Sequence, residues 1–458
     1  MYQAVGQLAE AEPIWREVLT LREQTLGGRH PLYAETLRCL AGLYLAQGDF
    51  EQADRYEARA LDILRQTLGE RHPEYVQALC GLAEMHWQRG QPAQAEQLYF
   101  QAGDIERDRV GEHHPDYAGV MRQLARMYQG MNNFPAAEVR LRHVLEVMER
   151  TYGDEHPEYA NALHDLAALH HQMGDLLTAE GMYQQASELR QQHPGEASAE
   201  YGQSLHGLAQ VYQGMGRYDD AAPLFRRALD IHEQALGGDH LATLRVRHSQ
   251  ALFEHARGHF HRAEDLLAQV RDQLVQVAGP VSPMLIPVLT DQARMYSGAG
   301  NHLSAEECWR RVLEINRQVM PDDKGLHAQD LINLALCLRA AGDLAAAEPL
   351  VRSAVELLEQ VRGQAHPETA AAVGLLAGIR QGLEDEAAVD VAGPPPAGEA
   401  ERLYRDALDR TRVALGQAHP EVAVAQSELA TYCASRGRIA EGVELCRKAC
   451  DLLRQAHG

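Results

Sequence analysis

The stretch that decides the fold runs from Tyr33 to Pro73: YAETLRCLAGLYLAQGDFEQADRYEARALDILRQTLGERHP. Leu37, Leu40, Ala41 and Tyr44 make an apolar stripe at helical spacing. Gly48 breaks it. A second stripe follows in Ala53, Ala60, Leu61 and Leu64, and Gly69 closes it. Glycine just past a helix enters the left-handed region without a Cβ penalty. Pro73 suits a first helical position, where the missing N–H has no partner to lose. The stretch therefore predicts two antiparallel helices, A and B, joined by a tight turn.

Working outward, the His-Pro pair at residues 72–73 recurs every 42 residues, at His30, His114 and His156, and returns at His366 and His419. Degraded copies hold the register at Ser198, His240, Ser282 and Lys324. Helix A repeats alanine at positions 41, 83, 125, 167, 209, 251, 293, 335, 377 and 430. Three residues on stands an aromatic plug, Tyr44, Tyr128, Tyr212 or Tyr296, with His86 and His170 replacing it twice. Helix B repeats alanine from Ala11 and Ala53 to Ala347 and Ala400, each followed four residues later by a bulky position such as Trp15, Tyr99, Tyr183, Phe225, Trp309 or Tyr404. An invariant alanine marks a close helix approach, and the aromatics are expected in the core. Self-similarity at this period defines an all-α fold, an α-solenoid in which each unit packs on its neighbours.

Leu-Ala, a tyrosine three on, then Gly, Ala and an aromatic resembles the tetratricopeptide repeat (TPR). The 42-residue unit with its Gly-x-x-His-Pro joint resembles the kinesin light chain class of that repeat. The resemblance implies a right-handed superhelix of about ten TPR helix-turn-helix units. It also implies a concave face, lined by A helices, that receives peptides. Residues 1–29 read as a truncated first unit, mainly helix B, and 30–383 as a continuous array. An acidic and proline-rich inserted loop at 384–398 lies within one unit, and 399–458 hold the C-terminal units. Neither end carries a recognisable polar cap. The chain is therefore expected to be part of a longer array or to self-associate through its uncapped ends.

The formal net charge is −22, and Lys324 and Lys448 are the only lysines. That balance argues against phosphate-backbone binding and against anionic membranes, so neither nucleic acid nor membrane is expected as a partner. No apolar run is long enough to span a bilayer, and no secretory signal opens the chain. Seven cysteines without regular spacing describe no disulfide framework, which points to a cytoplasmic location. Cys446 and Cys450 stand four apart as a zinc half-site at most and read as core thiols. The cluster His255, His259 and His261 lacks a second ligand pair. Phosphate-loop, zinc-protease and nucleophile-elbow motifs are absent. The chain thus reads as no enzyme, with no cofactor and no metal.

The candidate binding residues lie on helix A around the Leu-Ala pair. Kinesin light chains carry asparagines there, and Asn333 is the one this chain keeps. One position earlier run Arg38, Arg122, His164, His206 and His248. Arg126, His171, Gln210, Gln213, Arg245, His255, Arg294 and Arg339 share the face. Six arginines stand among five acids, Glu35, Glu84, Asp165, Asp291 and Glu428. The face is thus richer in cations than the chain as a whole. It suits an extended acidic peptide held by charge-assisted hydrogen bonds, or it is a mixed solvated face. The His164, His206 and His248 ladder is a candidate pH sensor. The function expected is a non-enzymatic scaffold binding a protein or peptide ligand. The alternative is the sensor arm of a larger bacterial signalling protein.

Overall fold

The computed structural model describes residues 8–47, 49–388 and 398–456. Among them stand twenty-one α-helices and no strand. In chain order they are α1 (Leu8–Leu26), α2 (Pro31–Gln47), α3 (Phe50–Thr67), α4 (Pro73–Gln88), α5 (Pro92–Val110), α6 (Pro115–Gly130) and α7 (Phe134–Tyr152). Next come α8 (Pro157–Gln172), α9 (Leu176–Arg190), α10 (Ala199–Gly214), α11 (Tyr218–Leu236), α12 (Leu241–Ala256), α13 (Phe260–Ala278) and α14 (Leu285–Gly298). The chain finishes with α15 (His302–Val319), α16 (Lys324–Ala341), α17 (Leu344–Val361), α18 (Pro367–Ala388), α19 (Glu399–Leu415), α20 (Pro420–Ser435) and α21 (Ile439–Ala456). Within residues 8–278 and within residues 302–456 consecutive helices pack as A–B hairpins and each hairpin packs on the next, which is the architecture of an all-α solenoid. The chain forms two compact units, Met1–Val288 and Leu289–Gly458.

The histidine of each His-Pro joint has a definite task. His72 Nδ1 accepts the backbone N–H of Glu74 at 3.2 Å, which caps the first turn of α4 while Pro73 occupies its first position. His114, His156, His240, His366 and His419 cap their helices in the same way. Ser198 and Asp323 take over where the pair is degraded, and a hydroxyl or carboxylate is the commoner chemistry for that role. At the A–B turn Gly90 and Gly174 hold φ near +75° to +79°. In the copy between them Asn132 stands at φ +57°, the residue that best tolerates that region after glycine.

The alanines predicted at close helix approaches are all buried. On helix A, Ala83, Ala125, Ala167, Ala209 and Ala251 have no exposed surface, and on helix B neither do Ala53, Ala95, Ala137 and Ala179. Tyr99 and Phe225 are wholly buried, with Tyr183, Trp309 and Tyr404 nearly so. Two expectations change. Glu384-Asp385-Glu386, read from sequence as the start of the inserted loop, belongs to the end of α18, which runs to Ala388. Arg436 reaches Glu384 at 3.2 Å and Asp385 at 2.6 Å, and Glu384 accepts the N–H of Ala400 at 3.0 Å, so tertiary contacts hold these acids in the helix. The proline run, Pro394–Pro396, lies outside the described residues. Cys446 and Cys450 are exposed rather than core, because their face of α21 meets no further helix among the described residues.

Candidate functional site: the helix A face

In the first unit successive A helices touch one another directly, α2 with α4, α4 with α6, α8 with α10 and α10 with α12. Side chains just before and after the Leu-Ala pair therefore reach across to the next copy. Arg38 donates through Nε to Glu57 Oε1 at 3.2 Å and through a terminal nitrogen to the carbonyl of Gln77 at 3.0 Å. Arg122 Nε lies 3.3 Å from Asp165 Oδ2 and its other end 3.8 Å from Glu158. Arg126, 63% exposed, reaches the same Asp165 at 3.6 Å. Gln210 donates to Ser249 at 3.4 Å. Gln213, His171 and His248 are half-buried and Arg245 is exposed.

Arg294, Asn333 and Arg339 belong to the second unit. Arg294 is exposed, 3.9 Å from Asp291; Asn333 accepts from Gln329 at 3.2 Å; Arg339 is exposed. Of the six arginines, Arg245 and Arg339 make no ion pair among the described residues, while the other four face an acid of this chain. The cation excess of the face is thus partly consumed from within.

Two rungs of the histidine ladder, His164 and His206, do not match the expectation of a sensor near neutrality. His164 is 8% exposed, edge-on to Tyr183 at 5.2 Å between ring centroids. His206 is 9% exposed and tilted against Phe225 at 6.0 Å. Burial is the main reason both are hard to protonate. Arg190 adds to it at His164, and His232, Arg245 and His171 add to it at His206, which is lowered to about 3. Both rings are therefore neutral at pH 7. The cluster at 255–261 also has local roles: His259 bonds the buried carboxylate of Glu254 at 2.6 Å, and His255 lies edge-on to Phe260. No group of three metal-ligating side chains occurs among the described residues.

Sequence reading missed Arg190, at the end of α9. It is buried and donates to the carbonyl of Glu200 at 2.9 Å, to Ser204 Oγ at 2.8 Å and to Asn161 Oδ1 at 2.8 Å, with no carboxylate within salt-bridge distance. The signal was present, since the same register holds Leu64, Leu274 and Leu358 in other copies. Along this face several buried side-chain nitrogens have no hydrogen-bond partner among the described residues: the donors Arg122 Nη2 and Arg190 Nε, and the ring nitrogens His164 Nδ1 and His206 Nε2. Next to His206 a cleft of about 200 Å³ opens between α10 and α12, with Gln203, His232 and Arg245 on its walls.

The chain belongs to the tetratricopeptide repeat family. That family's profile matches residues 1–66, 39–105, 116–192, 200–274 and 284–360, and related profiles of the same repeat match 164–235 and 398–421. Among solved structures, BtubC (BKLC) from P. vanneervenii is 25% identical over 49% of this chain and 89% of its own, with a TM-score of 0.41. A kinesin light chain-type protein of nearly identical TPR-like repeats from Podosopora anserina is 24% identical over 44% of this chain and 97% of its own, at 0.38. A signal transduction ATPase with a tetratricopeptide repeat sensor from Pyrococcus horikoshii is 12% identical, covers 87% of this chain and 55% of its own, and reaches 0.55, a likeness of fold. No curated protein matches the chain.

Proposed function

We propose that the chain is a non-catalytic scaffold that holds an extended, acidic protein segment along the helix A face of its first unit. The observation that supports this most directly is the shortage of acceptors there. Arg122 and Arg190 carry buried N–H groups without acceptors, His164 and His206 each carry a buried ring nitrogen without a partner, and Arg245 makes no ion pair among the described residues. A chain with net charge −22 has carboxylates to spare, yet this face leaves donors over. A peptide brings carbonyls along its backbone and carboxylates on its side chains, so it supplies the missing class of group. Arg126 and Arg245 would make the first contacts, Gln210, Gln213 and His171 the backbone contacts. In the second unit Arg294, Asn333 and Arg339 would act alike. The seven free thiols support a reducing, cytoplasmic setting. Among the described residues no helix is long and apolar enough to cross a membrane.

The test is direct binding of a fluorescent peptide rich in Asp and Glu to the full chain and to the double variant Arg122→Ala, Arg126→Ala. The affinity is expected to fall by about tenfold or more, the size of one or two charged hydrogen bonds, with unchanged helicity by circular dichroism. Equal binding by both proteins removes this reading.

A further inference from the structure

The aromatic plug of the repeat works through fixed partners on the preceding B helix. The Tyr44 hydroxyl donates to Glu12 at 2.8 Å and accepts from Arg16 at 2.7 Å. Tyr128 donates to Glu96, which occupies the register of Glu12. Gln184, in the register of Arg16, donates to the Tyr212 hydroxyl at 3.1 Å. One copy further on, all but one part of this arrangement is missing. The plug is Glu254, the acceptor position is Ala222, and the donor position is Arg226.

A cavity of about 240 Å³ opens at that place. Its lining is mostly polar, and the buried rings of Phe225 and Phe253, with centroids 4.9 Å apart, close its inner side. The Glu254 carboxylate is already engaged, by His259 at 2.6 Å and Arg262 at 3.3 Å. Arg226, on the cavity wall, makes no hydrogen bond or ion pair with the protein. Arg257 makes only a cation–π contact, 5.6 Å above the Phe253 ring. Gln250 lines the cavity, and its amide, open to that space, makes no hydrogen bond among the described residues. The space is adequate for a ring, since a cavity of about 150 Å³ holds benzene.

We propose that this cavity binds an aromatic ring carrying an anionic oxygen group, the ring lying where the other copies place their own tyrosine and the anion held by Arg226 and Arg257. Ala222 replaces the acid that would repel such an anion and leaves room for a head group larger than a hydroxyl. Gln250 donates or accepts at the ring's edge. The site is independent of the peptide reading above, because the cavity is formed by residues outside those assigned to the acidic peptide.

The test uses the full chain and two probes, benzoate and phenyl phosphate, by titration calorimetry, with cyclohexanecarboxylate and phenol as controls. One or both probes should bind more tightly than the controls, and which one does identifies the anion. Arg226→Ala should weaken binding by about tenfold or more, the loss of a charged hydrogen bond. Glu254→Tyr restores the repeat's own plug, so it should abolish binding and raise the melting temperature. Ala222→Leu, which narrows the cavity from the opposite helix, is the second variant and should also abolish binding. Acidic-peptide binding should survive all three. The proposal is overturned if the wild-type chain takes neither probe, or if the filled-cavity variants bind as well as wild type.

Discussion

Asp165 on α8 is shared by two arginines of α6: its Oδ2 lies 3.3 Å from Arg122 Nε and its Oδ1 3.6 Å from Arg126. An acid of the next copy therefore sits where an acidic ligand would bind, and competes with it. Asp165→Asn should release Arg126 and leave Arg122 with Glu158 alone, 3.8 Å away. Affinity for an acidic peptide should rise by about tenfold, with a steeper salt dependence, since exposed charges are screened within about a Debye length. A titration at two salt concentrations checks this. Unchanged affinity would show that Asp165 does not face the ligand.

Glu57 takes the bulky helix B position that is Tyr99 and Tyr183 in other copies, and it is buried against Arg38. Burial pushes its carboxyl up to about 7 in spite of Arg38. A raised carboxyl gives its stability below the unfolded value of about 4.3 and loses it as pH rises through the folded value. Stability should thus decline from about pH 4.5 to about pH 7, by on the order of 3–4 kcal/mol, and level off above. Glu57→Gln should remove that decline in urea melts recorded across the range.

Ala209 has no exposed surface and sits where α10 meets its partner helices. Ala209→Leu should cost roughly 1–3 kcal/mol by overpacking, read as a lower denaturation midpoint with helical content retained. The exposed Ala256, on the same type of helix, is the control and should tolerate leucine.

Asn316 Nδ2 donates to Asp330 Oδ2 at 2.8 Å, and both side chains are buried. Burial raises the Asp330 carboxyl, so the pair forms against a desolvation cost. Asn316→Leu alone leaves a buried acid unpaired and should destabilise by roughly 1–3 kcal/mol. Adding Asp330→Val gives the Leu-Val combination found in the copy before, at 274 and 288, and should restore stability or exceed it. Thermal melts of the single and double variants decide.

The fold was legible because its signals are repeated and local. Ala125 or Gly153 alone says little, but ten copies in register leave one architecture. The candidate site was legible only by position. Arg122 and Arg126 do lie together, yet their pairing with Asp165 depends on how one A helix meets the next, which no single-copy pattern contains. His164 and His206 looked like surface residues because their position holds arginine in neighbouring copies; each instead turns onto the aromatic of its own helix B. Arg190 and Glu254 were overlooked for a related reason. Each is an exception to the repeat, and averaging over copies to find the repeat hides the exceptions.

Arg190 carries one further consequence. A chain of near-identical hairpins can close wrongly, with one copy skipped and its neighbour docked in its place. At the joint after α9 that mistake is penalised. The residue in the place of Ser204 one copy later is Val246, whose side chain accepts no hydrogen bond, so Arg190 would lose one of its three acceptors. A single odd residue thus acts as a key cut for one lock, and it favours assembly of this stretch in the order in which it is encoded.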